Sequence, residues 1–175
     1  ALDLGRAVRA PLVQGLAGTV KAVFGVKPDP DFTSLAEAPR TIFNVNVTPQ
    51  RRVATQATSL ERLKAIGEAA GGSINDVVLA ASSAAMRRFL LEIGELPRKS
   101  LVTSIPVALP RDSNQAGGNA ISFANVRLGT DIEDVRERFD VIRRSSTAGR
   151  EFLKQMSTKT LMDYTVLISS PQILT

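Results

Sequence analysis

The feature that most constrains the fold is the run Gly71-Gly72-Ser73-Ile74-Asn75-Asp76-Val77-Val78-Leu79-Ala80-Ala81, continuing through Ser82, Ser83, Ala84, Ala85 and Met86 to Arg87. Adjacent glycines stop a helix that precedes them. Ser73 then offers an N-cap oxygen, and Asp76, three positions on, supplies the reciprocal acceptor of a capping box before an apolar run. Ile74, Val77, Val78, Ala81 and Ala85 fall on one helical face, while Leu79, Ala80, Ala84 and Met86 occupy most of the others. A helix apolar nearly all round is buried rather than laid on a surface. The pattern predicts a core helix over residues 73–92, with polarity returning at Arg87, Arg88 and Glu92.

Asn75 and Asp76 are thus polar side chains at the mouth of a buried helix. One reading is capping, because a carboxylate suits the free N–H groups and the positive end of the helix dipole. The other is a substrate site, because a buried helix start presents fixed polar groups in a dry place. Spacing alone favours capping.

A chain of 175 residues suits one domain with a proper core. The net charge of +5 is compatible with anionic partners such as membrane surfaces or phosphorylated cofactors. One Tyr, seven Phe and no Trp offer few stacking platforms, and the positive charge is dispersed, so no nucleic-acid partner is expected. The chain has no cysteine, which excludes disulfides, thiolate metal sites and thiol nucleophiles, and fits a cytoplasmic location. It also has no histidine, so imidazole bases, Ser-His-Asp and Cys-His catalysis and His-ligated metals are excluded within it. No metal site is expected. Lys21 interrupts the best candidate for a membrane span, and Asp3 and Pro11 argue against a cleavable signal.

Residues 1–26 read as an amphipathic helix or two, with Leu2, Leu4, Val8, Leu12, Leu16, Val20, Val23 and Phe24 apolar and Arg6, Arg9 and Lys21 basic. Pro11, Gly15 and Gly18 weaken it. It would either lie on a membrane surface or pack on the rest of the protein. Lys27-Pro28-Asp29-Pro30-Asp31 is a linker by composition. Ile42 to Val47 and Arg51 to Thr58 suggest two short strands. Ser59 opens a helix with Leu60, Leu63, Ile66 and Ala70 on one face. Leu101 to Leu109 reads as a largely buried strand, with Pro106 pointing to an edge or a bulge. Ala120 to Leu128 reads as another, with Ile121, Phe123 and Val126 inward. The connection between them is longer than a plain hairpin needs, so it is either a functional loop or a flexible tip. Asp131 begins a last helix that keeps Ile132, Val135, Phe139 and Ile142 inside and Arg136, Arg138, Arg143 and Arg144 outside; Phe152, Leu153 and Met156 extend its pattern. This order of elements favours an α/β or α+β fold with a sheet covered by the buried helix.

Five stretches stand in a familiar order: Pro39-Arg40-Thr41-Ile42-Phe43-Asn44, Arg51-Arg52-Val53-Ala54, Ser73-Ile74-Asn75-Asp76-Val77-Val78-Leu79-Ala80, Ser104-Ile105-Pro106-Val107 and Gly118-Asn119. Together, from about Pro39 to Met156, they resemble the bacterial wax ester synthase/acyl-CoA:diacylglycerol acyltransferase family. The resemblance implies one lobe of a chloramphenicol acetyltransferase-like, CoA-dependent acyltransferase fold, with the active site in a channel between two α/β lobes. Residues 39–175 would form this lobe, incomplete, after an amphipathic segment and linker over residues 1–38.

The implied reaction moves a fatty acyl group from acyl-CoA, a substrate rather than a cofactor, to a long-chain alcohol or a diacylglycerol. The family's base is the second histidine of a His-His-x-x-x-Asp-Gly motif, which this chain lacks. The resemblance therefore implies an interior-to-C-terminal part that is inactive alone and partnered by an N-terminal, histidine-bearing lobe. Asn75 and Asp76 match the family's Asn-Asp motif and would support the active site. Ser104, Gly118 and Asn119 would border the substrate or CoA channel. Arg111 would join them, although Ala108-Leu109-Pro110-Arg111 departs from the usual Ser-x-Arg-Pro. The resemblance also implies peripheral attachment to the inner membrane or to lipid inclusions. Two rival readings are a non-catalytic membrane-surface or protein-binding module built on residues 1–26, and an enzyme that uses Asp76 or another carboxylate as its base.

Overall fold

The computed structural model describes residues 29–46, 48–108, 121–157, 160–161 and 163–164. The expectations for residues 1–26, for the 109–119 loop and for most of the tail lie outside these residues.

Helix α1, Leu60–Ala69, starts where Ser59 accepts a hydrogen bond from the Arg62 N–H at 3.2 Å. It stops at Gly71, whose φ of +65° is costly for residues with a Cβ. There the Gly72 N–H donates to the Gly67 carbonyl at 2.8 Å and the Gly71 N–H to that of Glu68 at 3.2 Å, a Schellman closure. Helix α2, Ile74–Glu92, follows at once with Ser73 as N-cap and a complete capping box. It ends by the same device: Gly94 has φ +73°, and the Glu95 and Gly94 N–H groups donate to the Leu90 and Leu91 carbonyls at 2.8 and 3.1 Å. The two helices pack together. Gly67 permits the approach, since a Cβ there would lie 3.2 Å from the Gly72 carbonyl oxygen.

The limits of α2 are those the sequence predicts, but its buried face is not. Asp76, Leu79, Ser83 and Leu90 are buried and Arg87 half-buried, at alternating three- and four-residue spacing. Of the stripe nominated for the core, Val77 is buried, whereas Ile74, Val78, Ala81 and Ala85 lie on the opposite side of the helix. Val78, Ala81 and Ala85 there are exposed, and Phe89 on the same side meets Phe43 with ring centroids 6.0 Å apart. Hydrogen bonds decide between the two faces. Ser83 Oγ donates to the Leu128 carbonyl at 2.6 Å and Arg87 donates to the Thr130 carbonyl at 2.6 Å. These buried backbone acceptors after the second strand need donors, and the polar stripe supplies them. In α1 also, Leu60 and Ile66 are exposed; it buries Gly67 instead.

The two strands expected over residues 42–58 do not form among the described residues. The Thr41 N–H donates to Asn44 Oδ1 at 2.8 Å and the Asn44 N–H to the Thr41 carbonyl at 3.0 Å, so Asn44 closes a turn where the strand was expected. Val53 is 88% exposed, because the alternating stretch finds no partner strand.

Strands β1, Val102–Ala108, and β2, Ile121–Arg127, form a two-stranded antiparallel sheet. The Leu128 N–H donates to the Leu101 carbonyl at 2.9 Å. The resulting register sets Ser104 opposite Asn125, Pro106 opposite Phe123 and Ala108 opposite Ile121. Ser122, Ala124 and Val126 are buried, whereas Ile121 and Phe123 are exposed, so the inward face is the reverse of the expected one at those two residues. β1 is only partly buried, with Ser104, Pro106 and Ala108 exposed.

Helix α3, Val135–Lys154, begins four residues later than expected. Asp134 caps it by accepting from the Glu137 N–H at 2.8 Å. Arg138, expected outside, is buried and donates to the Ile132 and Glu133 carbonyls at 2.8 and 3.3 Å. Phe139 and Ile142 are buried as expected, and so are Phe152, Leu153 and Met156.

The described residues form two compact units. One contains residues 38–102 and 127–144, hence α1, α2 and the first half of α3. The other contains residues 29–37, 103–126 and 145–164, hence most of the strand pair and the second half of α3. In the latter, Gly149 presses on the inner face of β2: a Cβ there would lie 3.1 Å from Ala124 Cβ and 3.2 Å from the Asn125 carbonyl oxygen. Phe152 packs on Phe32 and Tyr164, with centroids 4.4 and 5.6 Å apart, and Thr33 and Ser145 share a buried hydrogen bond of 3.0 Å. Burial pushes the Tyr164 phenol up to about 12.

Candidate functional site

At the mouth of α2 the fold separates the two nominated residues. Asp76 is 2% exposed, and its Oδ2 accepts from the Ser73 N–H at 2.8 Å and from Ser73 Oγ at 2.7 Å. Ser73 Oγ in turn accepts from the Asp76 N–H at 3.3 Å. Gly72 lets the Phe139 ring close over this group: a Cβ there would fall 2.7 Å from Phe139 Cζ and 3.4 Å from Asp76 Oδ2. Asp76 therefore serves the helix cap. Asn75, one residue earlier, is exposed at the second helical position.

The strand pair makes a second polar group. Ser104 Oγ donates to Asn125 Oδ1 at 2.8 Å across the two strands. Ser104 is exposed, whereas Asn125 is 3% exposed. The sequence reading nominated Ser104 and missed Asn125. The available signal was an amide within the otherwise apolar strand Ala124-Asn125-Val126. Arg111, Gly118 and Asn119 lie outside the described residues. No helix of the described residues is long and apolar enough to cross a membrane.

Comparison with known proteins gives this geometry a family. Residues 4–78 match the wax ester synthase/diacylglycerol acyltransferase catalytic domain. A Mycobacterium tuberculosis protein, Rv3480c, named as a diacylglycerol O-acyltransferase, is 38% identical over 135 residues, covering 77% of this chain and 27% of the relative. The O-acyltransferase WSD of Acinetobacter baylyi is 32% identical over 160 residues, covering 91% of this chain and 34% of the relative. The solved wax ester synthase/diacylglycerol acyltransferase of Marinobacter aquaeolei VT8 superposes with a TM-score of 0.64 at 28% identity, over 91% of this chain and 33% of that one. The chain thus spans about a third of the length of the relatives it matches. Its mixed α/β architecture is part of the fold of that acyltransferase. By sequence and by fold, the chain belongs to the wax ester synthase/diacylglycerol acyltransferase family.

Proposed function

We propose that this chain is the histidine-free portion of an O-acyltransferase that moves a fatty acyl group from acyl-CoA to a long-chain alcohol or a diacylglycerol. The observation that carries the reading is the similarity to an O-acyltransferase along 91% of the chain, through both the Asn75-Asp76 helix and the strand pair. The hydroxyl of the acceptor attacks the thioester carbonyl, its proton passes to a histidine on partner polypeptide, the C–S bond breaks and CoA leaves as the thiol. This chain supplies framework and channel wall. Asp76 fixes the start of α2, and the neighbouring Asn75 side chain is offered outward to the channel. Ser104, Arg111, Gly118 and Asn119 border the path of CoA or acyl chain.

Asp76 is a poor candidate for the base. Its buried oxygen already accepts two hydrogen bonds from Ser73, whereas a base must reach the substrate hydroxyl. The test is transfer of a labelled acyl group from palmitoyl-CoA to hexadecanol or dioleoylglycerol. The chain alone is expected to show none, and to restore transfer when combined with a histidine-bearing polypeptide of the family. Robust transfer by the isolated chain overturns the proposal.

A further inference from the structure

We infer that residues 51–58 are an unpaired β-strand that this chain offers to the histidine-bearing polypeptide, which takes it into a sheet. The inference rests on the acyltransferase reading and names the surface through which the two polypeptides join.

The segment Arg51-Arg52-Val53-Ala54-Thr55-Gln56-Ala57-Thr58 has the alternation of a strand and contains neither glycine nor proline. It runs without a turn or bend, and every residue in it is exposed, Val53 to 88%. None of its backbone N–H groups reaches an acceptor among the described residues. The hydrogen bonds made here come from side chains: Arg51 Nη1 donates to the Thr48 and Gln50 carbonyls, and Gln56 Nε2 to the Ala57 carbonyl at 3.2 Å. An open row of backbone donors and acceptors along a β-patterned segment is a template for another strand.

Both flanks of the segment are fixed. Asn44 closes a turn upstream, and Ser59, extended at φ −63° and ψ 128°, caps α1 immediately downstream. A strand held at its flanks loses less freedom on pairing than a loose tail would. At about 3.3 Å per residue it spans about 26 Å when paired, enough for main-chain bonds to supply the affinity.

The comparisons and the register choose the partner. Residues 51–58 lie wholly within residues 4–78, which match the catalytic domain of the family, and the chain spans about a third of the relatives it matches. The polypeptide that completes that domain is therefore the candidate holder of the neighbouring strands. A second copy of this chain is a poorer one. The Leu128-to-Leu101 bond turns the backbone groups of Val102, Ser104 and Ala108 away from β2, and Pro106 on the same edge has no N–H to offer. That proline blunts the β1 edge against a strand from another copy, and a net charge of +5 opposes the approach.

The test follows backbone amide exchange of the isotope-labelled chain by NMR, alone and with the histidine-bearing polypeptide of the transfer assay. Alone, residues 51–58 are expected to exchange freely. In the complex at least alternate amides of the segment should slow by tenfold or more. Ala54→Pro and Thr55→Pro remove donors from opposite edges of the strand, and neither N–H holds a bond in this chain, so both should keep its circular dichroism spectrum. At least one of the two is expected to weaken binding of the polypeptide tenfold or more. Smaller slowing throughout the segment, or a smaller loss in both variants, overturns the inference. Slow exchange in the chain alone, with the mass of a dimer, also overturns it by making the partner a second copy. If transfer is restored without slowing at residues 51–58, only this inference falls. If the segment is slowed but transfer is absent, the acyltransferase reading falls and the pairing stands. If the polypeptide neither binds nor restores transfer, both fall.

Discussion

Replacing Asp76 tests whether the family's Asn-Asp pair is primarily a helix cap in this chain. The carboxylate accepts hydrogen bonds of 2.8 and 2.7 Å from Ser73, lies at the first turn of α2, and is 2% exposed. Hydrogen bonds to a charged group contribute about 1.5–3 kcal/mol each, and a carboxylate at a helix N-terminus about 0.3–1 kcal/mol more. Both bonds end on one oxygen and share one partner residue, so they do not add fully. Asp76→Ala is expected to cost about 3 kcal/mol. Asp76→Asn keeps the shape and one acceptor and is expected to cost about half as much. The measure is urea denaturation followed by far-UV circular dichroism, with a lowered midpoint at unchanged slope. Asn75→Ala is the control: the residue is exposed, so its effect should stay within about 0.5 kcal/mol. Equal effects at the two positions, or an Asp76→Ala loss below about 0.5 kcal/mol, would refute the capping argument.

Three further outcomes follow from local geometry. Gly71→Ala meets no atom within 4 Å, so its expected cost of about 1 kcal/mol comes from the +65° φ alone and is read from the same denaturation curves. Gly149→Ala gains about 1 kcal/mol of helix propensity but crowds Ala124 Cβ at 3.1 Å and the Asn125 carbonyl at 3.2 Å, neither of which can rotate away; overpacking of about 1–3 kcal/mol should leave it less stable. Tyr164 is the sole tyrosine, so absorbance near 295 nm (roughly where phenolate absorbs) reports it alone, and the folded chain should ionise near 12 against 10.0 for the free phenol. Because the folded value is the raised one, this contribution to stability is complete below pH 10 and is lost as pH rises towards 12; a midpoint near 10 in the folded protein contradicts the burial.

The limits of α1 and α2 were legible because their signals are local, whereas the start of α3 was placed four residues early. Ser59, Ser73, Gly71 and Gly94 act through backbone groups within four residues, and each does in the structure what its chemistry dictates. The strands over residues 102–108 and 121–127 were legible too. The stretch over residues 51–58 was not, because alternation says how a strand would be patterned and nothing about whether another strand lies beside it. Arg138 was misplaced for a related reason: its burial depends on the Ile132 and Glu133 carbonyls, which no periodicity of side chains records. Of the candidate site, Asp76 was legible as a cap, whereas Asn125 became visible only when the register set it opposite Ser104.

The faces of α2 and β2 failed in the same direction, and that has one physical cause. In each element the side turned to its own packing partner mixes small or polar residues with large apolar ones: Ser83 and Arg87 in α2 reach backbone carbonyls beside buried Leu79 and Leu90, while Ala124 in β2 meets Gly149 and stands on the same face as buried Ser122 and Val126. Tight approach and backbone hydrogen bonding favour the small and polar members at those points. Other large apolar side chains stand on the opposite side, as Val78 and Phe89 do in α2 and Ile121 and Phe123 in β2. A rule that sends the most apolar stripe to the core picks the wrong side whenever close approach or a backbone acceptor, rather than hydrophobicity, selects the inner residues. Exposed positions of this kind in a soluble single-layer element would tolerate charge. Phe123→Asp should therefore leave the far-UV circular dichroism spectrum of this chain unchanged, because Phe123 is 37% exposed.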